Sequence, residues 1–90
     1  MDDKFSSQVV VRNKLGIHGR RAGKIVQEAM KYSAEICIQY AQRRANAKSI
    51  LEILMLAAAQ GSSLILWAQG QDAYEAITSL TQLIQNTNEI

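Results

Sequence analysis

Residues 17–21 read Ile-His-Gly-Arg-Arg and contain His18, the one histidine in the 90-residue chain. A histidine ring nitrogen is a nucleophile able to carry a phosphoryl group, and cations beside it would stabilise the charge that arrives with it. Arg12, Lys14, Arg20, Arg21 and Lys24 flank His18, and no acid stands between Asp3 and Glu28. Just beyond the histidine the period becomes helical. Ala22, Ile25, Val26, Ala29 and Met30 share one face, which predicts a helix over about 19–31. A helix start exposes unpaired amides and a partial positive charge, usually answered by Ser, Thr, Asp or Asn at the N-cap. This one offers none of these, and Gly19 lets another group approach the backbone closely. As a stability choice the arrangement is poor. As an anion site it is sensible, because amides, dipole and guanidinium converge where a phosphate would sit. The competing reading of these local features is an ordinary surface histidine at a loop-to-helix junction.

The charge distribution of the whole chain agrees with an anionic partner. All ten Lys and Arg residues lie between Lys4 and Lys48; over residues 1–48 they face four acids, a net +6, and from Ser49 onward there are four acids and no base, a net −4. The first half is built to meet something negative. A single cysteine, Cys37, cannot close an internal disulfide, and one histidine with one cysteine leaves no ligand set for a Cys/His metal site; neither a metal nor a cofactor is expected. The longest apolar run, Ile53 to Ala59, is far short of the ~20 residues that span a bilayer, and Met1-Asp2-Asp3 does not open a signal peptide. A cytoplasmic protein without membrane insertion is expected, folded as one domain over residues 1–90.

Elements must position these groups. Phe5 to Arg12 holds the run Val9-Val10-Val11 and predicts a first strand, closed by the turn signal Asn13-Lys14-Leu15-Gly16. After the first helix, Glu35 to Tyr40 alternates Ile36, Ile38 and Tyr40 against Cys37 and Gln39, a second strand, and Ala41 to Arg44 is expected to turn the chain into a short third strand. Ser49-Ile50-Leu51-Glu52 has capping-box spacing and predicts a helix over about 50–59. Leu64 to Ala68 is a fourth strand, stopped at Gly70, and Asp72 with Glu75 caps a last helix reaching about Gln85. The order β-α-β-β-α-β-α predicts an α+β fold with helices against one face of a four-stranded sheet.

The run Lys14-Leu15-Gly16-Ile17-His18-Gly19-Arg20, the later Asn46-Ala47-Lys48-Ser49-Ile50 and this element order together resemble HPr, the histidine-containing phosphocarrier family of the bacterial phosphoenolpyruvate-dependent sugar phosphotransferase system. The resemblance spans about residues 5–86. It implies an open-faced β-sandwich with an antiparallel sheet. It also implies that His18 accepts a phosphoryl group on Nδ1 from phosphorylated enzyme I and passes it to the A domain of an enzyme II, with Arg20 pairing with the phosphoryl oxygens beside the backbone of Gly19 and Arg20. By the same resemblance Ser49 is a regulatory serine open to an HPr kinase/phosphorylase, besides being a helix cap. One departure stands out: the family pattern after the histidine is a small residue, arginine, proline and alanine, whereas this chain has Gly19, Arg20, Arg21 and Ala22. Arg21 is expected to bring a second guanidinium to the phosphoryl group or to an acidic partner.

The second helix is apolar nearly all round, so part of it is expected to stay exposed as a docking surface of Ile50, Leu51 and Leu54 beside Ile17, rimmed by Arg20, Arg21, Lys24 and Lys48. Strand alternation places Val9, Val11, Leu64, Leu66 and Ala68 inward and leaves Val10, Cys37, Ile65 and Trp67 on the open sheet face, a surface for self-association of an otherwise monomeric chain. Three function classes follow: a phosphocarrier, a regulator acting mainly through Ser49 and docking with His18 transfer weak or absent, and a nucleic-acid module. Phe5, Tyr32, Tyr40, Trp67 and Tyr74 form no paired strand aromatics of the RNA-binding kind, which ranks the last class lowest and predicts no nucleic-acid partner.

Overall fold

The computed structural model describes residues 3–86; Met1, Asp2 and residues 87–90, among them the acid Glu89, lie outside the described residues. The chain runs β1 (Asp3–Val10), α1 (Gly19–Ala29), β2 (Glu35–Tyr40), β3 (Arg43–Asn46), α2 (Ile50–Met55), β4 (Ser63–Gly70) and α3 (Ala73–Gln85). The four strands form one antiparallel sheet in the order β1-β4-β2-β3. The helices cover one face, and the α+β open-faced architecture is the one the element order implies.

Face assignment follows from the two-residue period of each strand. Val9, Ile36, Ile38, Leu64, Leu66 and Ala68 point inward and are buried, and they meet Ile25, Ile53, Leu80 and Ile84 from the three helices. Val10 and Ile65 are exposed on the other face, and Cys37 and Trp67 are half-buried there. Trp67 pairs across the sheet with Cys37 on β2 and with Ser6 on β1, and the Lys4 ammonium lies 5.2 Å from its ring centroid. The Lys4 side chain thus partly covers the open face at Trp67.

Several boundaries differ from the sequence expectation. The first strand begins and ends two residues earlier than Phe5–Arg12, although Val11 still pairs with the loop after α2 through its N–H to Ser62 O (2.9 Å). The third strand is Arg43–Asn46, and the turn into it is shorter than 41–44: Ala41 and Gln42 alone form a two-residue turn, with Ala41 in the left-handed region at φ 55°. Helix α2 stops at Met55 although Ala57, Ala58 and Ala59 are good helix formers. Ala57 takes φ 55° there, and the chain turns to present Ala58 O to the Ile17 N–H at 2.9 Å. Tertiary pairing outweighs local propensity.

The caps also differ. Ser49 Oγ accepts the Glu52 N–H at 3.3 Å, but Glu52 Oε1 accepts the Asn46 N–H at 2.8 Å rather than returning to Ser49. Asp72 stands at the start of α3 yet makes no cap bond to it; its carboxylate accepts the N–H groups of Ser33 and Ala34, each at 2.9 Å, and so ties α3 to the entrance of β2. The backbone bond from Ser33 is the main reason its carboxyl is held below the ordinary carboxylate range. A depressed carboxyl stabilises the fold above its unfolded pKa of about 3.9, and this stabilisation is lost as pH falls through the folded value. Asp72→Asn keeps one acceptor for two amides. Denaturation titrations should therefore show wild type more stable than the variant at pH 7, with the gap closing as pH drops below about 4. A gap that does not change with pH would refute the ionic origin.

Candidate functional site

His18 is the N-cap of α1. Its backbone is extended (φ −105°, ψ −176°), its O accepts the first helical bond from the Ala22 N–H at 2.7 Å, and its ring makes no cap bond to the helix. The ring is half-buried, and Gly19 and Arg20 beside it are exposed. No acid lies in the first turn of α1, and a Cβ on Gly19 would meet no atom within 4 Å. The geometry therefore leaves the amides at the start of α1 open to an approaching anion, with an imidazole at their rim and the Arg20 side chain on the solvent side.

The loop before His18 is clamped from behind. Asn13 Nδ2 donates to Gly16 O at 2.6 Å, Gly16 N–H donates to Asn13 O at 3.0 Å, and Ile17 N–H reaches Ala58 O. Gly16 adopts φ 67° with the backbone of Ala58 and Ala59 directly against its α-carbon. Ile17 is buried, 7% exposed, in the hydrophobic-staple position before the N-cap. It belongs to the core and anchors the loop; it does not offer the docking surface the sequence suggested.

Arg21 is the larger correction. It is 1% exposed and points away from the anion-accepting side of the turn. Its Nη2 donates to the carbonyls of Leu83 (2.6 Å), Ile84 (3.0 Å) and Asn86 (2.9 Å) at the end of α3. That last turn has no basic residue of its own, so the guanidinium answers both its orphan carbonyls and the negative end of its dipole. Arg21 is neither a second phosphoryl ligand nor part of a docking rim. Only Arg20 of the pair faces solvent.

The apolar patch on α2 exists as expected: Ile50, Leu51 and Leu54 are 46%, 65% and 37% exposed. Gly23 on α1 lies where a Cβ would be 3.7 Å from the Ile50 Cδ1, so the patch abuts the helix that His18 opens. The docking surface read from the sequence left out Met55, 67% exposed on the same helix, and Leu15, 74% exposed in the loop before His18. Met55 follows Leu51 by one helical turn, a spacing that would have found it; Leu15, in an irregular loop, carries no periodic signal. Of the basic rim, Lys24 is half-buried, while Lys48 donates its Nζ to Tyr32 O at 2.7 Å and so holds the end of α1 rather than projecting freely. Ser49 is half-buried at the start of α2.

Comparison with known proteins bears on what this arrangement is for. The family model described as "PTS HPr component phosphorylation site" matches residues 5–86. The chain belongs to the HPr family of phosphocarrier proteins. Among HPr relatives, the phosphocarrier protein HPr of Neisseria meningitidis serogroup A is 40% identical over 80 residues, covering 89% of this chain and 90% of that one. The HPr-like protein Crh of Bacillus subtilis is 36% identical over 78 residues, covering 87% and 92%. A crystal structure of HPr from Bacillus anthracis superposes with a TM-score of 0.87 at 36% identity, covering 91% of this chain and 98% of that one. The family model spans all but the first two of the described residues. Among the described residues no helix is long and apolar enough to cross a membrane.

Proposed function

We propose that this chain is a cytoplasmic, monomeric phosphocarrier of the sugar phosphotransferase system, loaded on His18 by phosphorylated enzyme I and unloaded onto enzyme II A domains. The observation that carries the reading is the open start of α1: a histidine at the N-cap, no side-chain cap and no acid, beside an exposed arginine. A lone pair on a His18 ring nitrogen attacks phosphorus while the bond from phosphorus to the donor nitrogen breaks, and the donor keeps that electron pair. The transferred group arrives on the positive end of α1, where the Gly19 and Arg20 amides and the Arg20 guanidinium stabilise its charge in the transition state and in the product. The second transfer runs the same step outward. The α2 patch of Ile50, Leu51 and Leu54, within reach of α1 through Gly23, supplies adhesion for transient docking, and the basic first half of the chain supplies attraction for acidic partners. Ser49 Oγ, at the start of α2 beside that patch, is the regulated position in this reading, since phosphorylation by an HPr kinase/phosphorylase would put negative charge into the docking surface.

Intact-mass measurement after incubation with phosphoenolpyruvate and enzyme I tests the carrier role. Wild type should gain one phosphoryl group that is stable at neutral pH and lost in acid, and His18→Ala should gain none. Because the His18 ring caps nothing, the variant should stay within ~0.5 kcal/mol of wild-type stability. Wild type that gains no group with enzyme I of its own organism would leave the regulatory role of Ser49 as the better account.

A further inference from the structure

The anion-accepting turn of α1 has little local reason to be ordered. It lacks a side-chain cap, it has no acid in its first turn, and its first residue is Gly19, a weak helix former. The third residue of that turn, Arg21, is fixed by contacts of another kind: its buried guanidinium grips the carbonyls of Leu83, Ile84 and Asn86. The bond from Ala22 N–H to His18 O closes the same turn around it.

We propose that Arg21 is a positioning residue for His18, anchoring the first turn of α1 on the last turn of α3 and so fixing the amides and side chains of residues 18–20 toward the phosphoryl group. The proposal rests on the carrier reading for its consequence in transfer, but not for its structural half. A proline in the first turn of a helix would set φ by its own ring without loss of an intrahelical bond. Arg21 reaches the same end through a tertiary contact, and this has a consequence proline would not bring. Order at the end of α3 is passed to the phosphorylation turn, so loosening α3 loosens the site.

The test compares Arg21→Met, Arg21→Lys and Arg21→Pro in the full chain, by amide hydrogen exchange and by the rate of phosphoryl uptake from phosphorylated enzyme I. In Arg21→Met the amides of residues 22–24, the first of which bonds His18 O, and those of the α3 end should both exchange at least roughly tenfold faster than in wild type. Uptake should slow by about tenfold or more as the reacting groups lose their alignment. Arg21→Lys keeps a single point donor and should fall between the two, and it carries the comparison if the methionine variant does not fold. Arg21→Pro separates positioning from simple capping: it should restore uptake and first-turn protection to within about threefold of wild type while the α3 end stays loose. The proposal is overturned if folded Arg21→Met, or Arg21→Lys in its place, loosens only the α3 end and keeps wild-type exchange at residues 22–24. It is equally overturned if the proline variant is as slow as the methionine variant. Should wild type itself take up no phosphoryl group, the carrier reading fails, and the exchange comparison alone decides the positioning role.

Discussion

Arg21→Met should lower the stability of the domain by about 2–4 kcal/mol, whereas the same change at its neighbour Arg20 should fall within ~0.5 kcal/mol of wild type. The two residues have the same chemistry and adjacent positions, so the contrast isolates environment. Arg21 is 1% exposed and gives one nitrogen, Nη2, to three carbonyls, while Arg20 is exposed. A hydrogen bond from a charged donor contributes about 1.5–3 kcal/mol, but two N–H groups shared among three acceptors do not give three full bonds. Methionine fills much of the arginine stem's volume, which limits the cavity term and leaves the loss of the polar contacts as the main effect. The opposing term is the desolvation of a buried cation, which the methionine variant recovers. The balance still favours arginine because the change also strands carbonyls at a helix end that has no base of its own. For a domain of this size the loss lowers Tm by at least roughly 8 °C. Urea unfolding followed by circular dichroism checks it, and a loss under ~1 kcal/mol would mean that water serves the α3 carbonyls as well as Arg21 does.

The sequence made the fold legible because each periodic segment had one apolar face to bury. The alternation of Ile36, Ile38, Leu64 and Leu66 set both sheet faces, and the histidine at an uncapped helix start marked the candidate site before any geometry was available. What it concealed were contacts between residues far apart in the chain. Arg21 stands four residues before Ile25 and eight before Ala29, on the buried stripe of α1, but its charge argued for solvent. Only the end of α3, more than sixty residues later, explains why a cation is admitted there. Asp72 and Glu52 looked like cap residues by spacing, and both bond to other segments. Ile17 looked like a partner contact and is a core anchor. In every case the local motif was present and a tertiary acceptor or donor outcompeted the local one.

Gly16→Ala should be as damaging as the loss of Arg21, from the other side of His18. At φ 67° an alanine pays about 1–2 kcal/mol for the left-handed conformation alone. Its Cβ would also lie 2.5 Å from Ala58 O and 2.9 Å from the Ala59 Cα, and neither backbone can move as a flexible side chain would. Relief requires the loop before His18 to part from the loop after α2, which strains or breaks the bond from Ile17 N–H to Ala58 O. Overpacking of this kind adds about 1–3 kcal/mol, so a total loss of about 2–5 kcal/mol is expected. Gly19→Ala is the control: its Cβ meets nothing within 4 Å and its φ is not positive, so it should stabilise the chain by up to ~1 kcal/mol. In Gly16→Ala, assayed at low temperature where it remains folded, phosphoryl uptake should fall by about tenfold or more because Ile17 and His18 are displaced together. If Gly16→Ala is destabilised but transfers at the wild-type rate, the position of His18 is set by α1 and its Arg21 anchor alone, and the clamp behind the loop serves stability only.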